Sequence, residues 1–192
     1  MNLTGVILAG GHSLRMGRDK AWLEVEGRPL LARQAETLRA AGADEILISG
    51  RPEADYAGFG WRVVADEFAG AGPLAGIHAA LRAARAPLLL VLAVDMPAMR
   101  PEVLAKLAQA APPGGGAVPR IAGWVEPLAA FYPRLAGAML EALLRSGSRA
   151  AHGFAEACVA AGFAVFVDLP AADAPAFANW NSPADLPGPP PA

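Results

Sequence analysis

Short apolar runs alternate along the chain with segments whose apolar residues recur every three or four positions, and that alternation predicts strands interleaved with helices. The first run, Thr4 to Ala9, is β-type and ends at Gly10-Gly11, after which a polar, glycine-containing loop continues to Lys20. A helix is predicted from Pro29 to Gly42, because Leu30, Leu31, Ala35 and Leu38 fall at helical spacing between a favoured opener and a favoured stop. Strands are predicted at Glu45 to Ser49 and Arg62 to Ala65, and a helix at Leu74 to Ala84. Leu88 to Val94 is unbroken apolar sequence, which suits a strand buried on both faces, and it stops at Asp95.

The second half predicts a helix from Pro101 to Ala110, a loop from Pro112 to Gly116, and a short strand at Ala117 to Pro119. An irregular middle follows, then helices at Arg134 to Leu144 and Ala150 to Ala160 and a strand at Ala164 to Val167. The tail Pro187 to Ala192 is proline-rich and is expected to be extended or disordered. The order implies an α/β fold of three layers, α/β/α, around a mainly parallel, Rossmann-like sheet. Ligands of such sheets sit beyond the carboxyl ends of the strands, where Gly10 and Asp95 both fall. A chain of 192 residues suits one domain, residues 1–186, with the tail 187–192 outside it.

Composition narrows the chemistry. With 54% hydrophobic and 18% charged residues the chain is expected to fold compactly. A net charge of -2 gives no overall positive field for nucleic acid or an anionic membrane, so any anion must be held locally. The single cysteine, Cys158, cannot form an intrachain disulfide and reads as a small buried residue. No basic stretch leads into a cleavable apolar region and no apolar run reaches the ~20 residues that span a bilayer, so a cytoplasmic protein is expected. His12, His78 and His152 lack metal-ligand spacing, which argues against zinc, and Ser13, Ser146 and Ser148 lack the surroundings of a nucleophile elbow.

The strongest chemical signal is the loop Leu8-Ala9-Gly10-Gly11-His12-Ser13-Leu14-Arg15-Met16-Gly17-Arg18-Asp19-Lys20. Glycines let backbone N–H groups approach a phosphate, and Arg15 and Lys20 can offset its charge. The same residues would also suit a solvated flexible loop; glycines, a hydroxyl and cations together after a strand favour an anion cradle. No Gly-Lys-Ser or Gly-Lys-Thr ends it, so it is not a Walker loop. Asp95, at the end of a buried strand, is a natural oxygen ligand for a hard cation, or alternatively a cap for the following helix. Asp66, after a shorter strand, is balanced between the two. Gly70-Ala71-Gly72-Pro73-Leu74-Ala75 formally satisfies a dinucleotide-binding pattern, but it does not follow the first strand and contains a proline.

The loop from Leu8 to Lys20 resembles the signature of nucleotidylyltransferases, and its Asp19-Lys20 form is most similar to that of the molybdenum cofactor guanylyltransferases. Further matches fall in the same order: Glu24-Val25-Glu26-Gly27-Arg28-Pro29-Leu30, Gly72-Pro73-Leu74-Ala75-Gly76-Ile77, Val94-Asp95-Met96-Pro97, and Phe177 to Leu186 with its asparagines. The resemblance implies that Leu8, Ala9, Gly10, Gly11, Lys20, Asp66 and Asp95 contact GTP, with Arg15 and Lys20 offsetting charge and Asp95 also binding Mg2+. The family commonly has asparagine where Ser49 or Gly50 falls; Ser49 is implied to contact the nucleotide and can still hydrogen-bond but reaches less far. Glu126, in Trp124 to Tyr132, resembles the acceptor side, although core packing explains the aromatics of that stretch equally well. Asn179 and Asn181 are implied on the same side and would alternatively close a turn.

By that resemblance residues 1–110 form a nucleotide-binding half and 111–186 an acceptor-binding half. The expected reaction is GMP transfer from GTP to molybdopterin or the molybdenum cofactor, by a monomer or weak oligomer in transient contact with other proteins of cofactor biosynthesis. A cytidylyl or other nucleotidylyl transfer, a non-catalytic nucleotide-binding module, and a dinucleotide enzyme are the alternatives.

Overall fold

The computed structural model describes residues 2–10, 20–51 and 56–180. In chain order it contains β1 (Leu3–Leu8), β2 (Glu24–Val25), β3 (Arg28–Pro29), α1 (Leu30–Ala40), β4 (Glu45–Ser49), β5 (Arg62–Val64), α2 (Pro73–Ala83) and β6 (Leu88–Ala93). There follow α3 (Pro101–Ala110), β7 (Gly116–Ile121), β8 (Trp124–Val125), β9 (Ala129–Pro133), α4 (Gly137–Arg145), α5 (Ala151–Ala160) and β10 (Ala164–Leu169). β2 and β3 form a small antiparallel hairpin; the other strands make one eight-stranded sheet in the order β10-β7-β9-β6-β1-β4-β5, with β8 beside β7.

The sheet is mainly parallel: β6, β1, β4 and β5 run together, as do β7 and β10. β9 reverses the direction, pairing antiparallel with both β6 and β7. The period of two in each strand sorts its side chains between two cores. Ile7, Leu90 and Leu92 pack with Leu31 and Leu38 of α1 and Leu104 and Leu107 of α3. Val6, Leu8, Leu89 and Val91 pack on the opposite face with α2, α4 and α5. This two-sided burial explains the unbroken apolar run of β6, and each such leucine contributes roughly 2 kcal/mol by leaving water.

β4 and α3 have the expected bounds, and the expected strand at 117–119 extends over Gly116–Ile121. The segment expected to be helical from Arg134 begins as a 3-10 turn, Arg134–Ala136, and becomes α4 only at Gly137. The irregular middle is corrected: it holds β8 and β9, and all five residues of β9 are buried. Tyr132 of β9 is anchored by donating its hydroxyl to the Pro127 carbonyl at 3.0 Å. A 3-10 segment at Ala171–Phe177 also follows β10. The proline-rich tail lies outside the described residues. Among the described residues no helix is long and apolar enough to cross a membrane.

Candidate active site

The registers of three strands bring their carboxyl ends together. Leu8 stands opposite both Ser49 of β4 and Ala93 of β6. Just beyond, the Ala9 N–H donates to the Ser49 carbonyl at 2.7 Å, and the Val94 N–H to the Leu8 carbonyl at 3.1 Å. The ladder therefore carries its order one residue past each strand, where the chain turns away. These ends line a cleft of about 340 Å³ that gathers Leu8, Ala9, Gly10, Lys20, Ser49, Asp66 and Asp95. Of the residues singled out in the sequence, Gly11, Arg15 and Asn181 lie outside the described residues.

Lys20 opens a 3-10 turn, Lys20–Trp22, and its Nζ lies 2.9 Å from Asp95 Oδ2. The two side chains are 14% and 23% exposed, so both are largely withdrawn from solvent yet reachable from the cleft. A carboxylate that already holds one cation at a strand end fits a hard divalent ion, which needs few protein oxygens and keeps water and substrate oxygens as its other ligands. Among the described residues no group of three or more His, Cys, Asp or Glu side chains forms a metal cluster.

On the opposite wall the Ser49 hydroxyl donates to Asp66 Oδ1 at 3.3 Å. Asp66 is raised above its ordinary value by partial burial, an effect that the Ser49 hydrogen bond opposes. Ser49 itself is buried, and it fits only because α2 carries Gly76 beside it: a Cβ there would meet Ser49 Oγ at 2.2 Å and Leu8 Cδ2 at 3.1 Å. The glycine lets α2 lie against the strand ends.

α2 begins in the cleft wall. Its preceding residue, Gly72, has φ 59° and ψ -143°, a backbone conformation that glycine adopts without strain, and Pro73 then starts the helix with no side-chain cap. Gly70, Gly72 and Pro73 all line the cleft. The glycine pattern that resembled a dinucleotide fingerprint thus follows β5, not the first strand, and faces the same cleft as the Leu8 to Gly10 turn. Phe68 lines it too, braced edge-on by His78 of α2 at 5.1 Å between ring centres. Phe68, Ala69, Gly70, Gly72, Pro73 and Leu128 line the cleft too, none of them with an individual site role in the sequence; the dense glycines are the signal for the first segment, and Leu128 falls in the stretch Trp124 to Tyr132 that resembles the acceptor side.

Of the acceptor-side residues, Glu126 and Asn179 do not line this cleft. Glu126 is held by its N–H, which donates to the Pro119 carbonyl at 3.0 Å, and by Oε1, which accepts from the Leu128 N–H at 3.2 Å. Burial pushes its carboxyl above the usual range, the Leu128 N–H and the nearby His152 oppose this, and the charge of Asp95 adds to the rise. Glu126 is therefore within electrostatic reach of Asp95. Asn179 is exposed, but its neighbour Trp180 donates its backbone N–H to the Asp95 carbonyl at 2.8 Å, which ties the closing segment to the site.

Comparison with known proteins places the chain among relatives of one family. The chain is 46% identical over 186 residues to a probable molybdenum cofactor guanylyltransferase of Opitutus terrae, covering 95% of this chain and 92% of that protein. It is 37% identical to the molybdenum cofactor guanylyltransferase of Pseudomonas aeruginosa, over 93% of this chain and 89% of the other. Among solved structures it superimposes on the molybdopterin-guanine dinucleotide biosynthesis protein A of Archaeoglobus fulgidus with a TM-score of 0.74, 26% identity, and 95% and 94% coverage. Residues 5–161 match the family model of the MobA-like NTP transferase domain, and the chain belongs to that family.

Proposed function

We propose that this protein transfers GMP from GTP to the terminal phosphate of molybdopterin or its metal-loaded form, releasing pyrophosphate and forming a guanine dinucleotide cofactor. The observation that carries the reading is the meeting of Lys20 and Asp95 at the strand ends, in a cleft also lined by Gly10 and the start of α2. It is supported by identity along nearly the full length of relatives that bear this name.

In the reaction an oxygen of the acceptor phosphate attacks the α-phosphorus of GTP, a new P–O bond forms, and the bond to the β-phosphate bridging oxygen breaks. The leaving group is pyrophosphate, and no covalent intermediate with the protein is needed. Lys20 offsets the negative charge that grows on the departing oxygens, and the backbone at Ala9 and Gly10 allows close approach of phosphate. Asp66 and Ser49 hold the nucleoside end, and the uncapped start of α2 contributes a partial positive charge to the same wall. Mg2+ held by Asp95 would neutralise phosphate oxygens and align donor with acceptor. Arg15 and Gly11 are assigned to the triphosphate, and Glu126, Asn179 and Asn181 to the acceptor. Residues 1–110 serve as the nucleotide half and 111–186 as the acceptor half of one domain, working in the cytoplasm.

The test is incubation of the protein with GTP, Mg2+ and molybdopterin while pyrophosphate is followed. Release that needs all three components is expected. GTP binding without pyrophosphate release would leave a nucleotide-binding module, and equal release with CTP would remove the guanylyl assignment.

A further inference from the structure

Helix α1 buries one stripe, Leu30, Leu31, Ala35 and Leu38, against the sheet. Gln34 lies in that stripe and is only 1% exposed. A primary amide enclosed by apolar side chains costs stability unless its hydrogen-bonding groups are met. Here the Nε2 donates to the Met96 carbonyl at 2.7 Å and stands 3.4 Å from the carbonyl oxygens of both Ala93 and Val94. Three acceptors around one end of the amide fix its orientation, since an oxygen in that place would face three others.

Those carbonyls flank Asp95. The parallel ladder between β1 and β6 ends at the pair Leu8 and Ala93, and the last backbone bond along it is the Val94 N–H to Leu8. Past that point regular sheet structure no longer fixes where the chain points. The carbonyls of the next residues are met from outside the strand: Ala93, Val94 and Met96 by Gln34, and Asp95 by the Trp180 N–H. The Met96 carbonyl also accepts from the Met99 N–H at 3.1 Å, which closes the turn. With the peptides on both sides drawn toward α1, the Asp95 side chain is directed to Lys20 and the cleft.

We infer that Gln34 is a positioning residue for Asp95: its buried amide replaces the missing sheet ladder and fixes the carboxylate in the orientation that holds the divalent ion. The inference rests on the reading of Asp95 given under the proposed function. Groups that orient a metal-holding side chain typically change metal affinity by about 10- to 100-fold when removed.

The experiment compares native protein, Gln34→Leu and Gln34→Met with Leu38→Ala, a truncation in the same buried stripe that destabilises the core without touching the turn. Free Mn2+ is followed by electron paramagnetic resonance in the presence of GTP, thermal melting reports stability, and steady-state rates give kcat and KM for GTP. Both Gln34 variants are expected to weaken Mn2+ binding about 10-fold or more, with kcat falling at fixed metal while KM for GTP at saturating Mn2+ stays near the native value. Leu38→Ala is expected to melt earlier with native Mn2+ binding. Gln34 variants that bind Mn2+ like the native protein and only melt earlier would overturn the inference, as would failure of both to fold, because the amide would then be serving the core alone. Native protein that binds no Mn2+ with GTP would sink the reading of the site as well, so the two failures are distinguishable.

Discussion

Lys20 and Asp95 are 75 residues apart in the chain and 2.9 Å apart in space, at the edge of the sheet where the adjacent strands β1 and β6 end in register. The pair is partly exposed, so it contributes at most about 1 kcal/mol to stability. Its larger consequence is chemical. Asp95→Ala is expected to abolish pyrophosphate release with a melting temperature close to native, and Lys20→Ala to lower kcat on the order of 10²-fold by loss of one preorganised charge-stabilising donor. Near-native turnover in pure Asp95→Ala protein would remove the assignment.

Gly76 and Ser49 give a prediction whose sign runs against the usual trend. In a helix interior Gly→Ala stabilises by up to about 1 kcal/mol. Here the new methyl would lie 2.2 Å from Ser49 Oγ and 3.0 Å from its Cβ, in a buried corner where neither side can retreat freely. Gly76→Ala should therefore destabilise, by roughly 1–3 kcal/mol as overpacked sites do. Ser49→Ala removes the nearest atom, so the double variant should be more stable than the sum of the single effects implies. Urea titration of all four proteins measures the coupling, and strict additivity would show that the helix shifts without strain.

Much of this architecture was legible in the sequence for physical reasons. β1 and β6 are apolar through their length because both faces are covered, and the glycine loop and Asp95 punctuate their ends. β9 was not legible: Ala129-Ala130-Phe131-Tyr132-Pro133 is short, has no alternation, and is made a strand by partners about 40 residues away in β6, Leu88 to Leu92. Gln34 leaves a trace, a polar residue at the i+4 position from Leu30 inside an apolar helical stripe, but the sequence does not show what its amide meets. Phe68 left none, because its place in the cleft follows from tertiary packing alone.

Glu126 predicts a pH dependence of stability. Its carboxyl is raised, chiefly by burial, so the folded protein holds that proton more tightly than the unfolded chain does. Ionisation therefore costs stability: the penalty is absent below the ordinary carboxylate range, grows as pH rises toward the folded value, and is full above it. Glu126→Gln keeps an oxygen for the Leu128 N–H and removes the charge. The variant should melt higher than native protein at neutral pH and converge with it in acid, while losing activity if Glu126 meets the acceptor. Parallel melting curves across that window would contradict the burial argument.

Nucleotide choice can be read from melting temperature. A ligand that binds only the folded state adds about 2.7 kcal/mol at 100 times its dissociation constant. With Mg2+ present, GTP is expected to raise the melting temperature more than CTP, ATP or UTP, and Asp66→Ala should shrink the GTP response. A larger shift with CTP would reverse the assignment of the base.

Cys158 offers a check on the packing of the second core that is independent of the cleft. The thiol sits on α5 with no exposed surface, and burial pushes it up to about 12. Only the thiolate reacts readily with disulfide reagents, so at pH 8 the native protein should label slowly, through rare opening of α5. Unfolding in urea should expose the thiol and make labelling complete within the mixing time of the reagent, with a midpoint that follows the loss of helical signal. Fast labelling of native protein would mean that α5 does not close over Tyr132, Val118 and Ala164 as the structure has it.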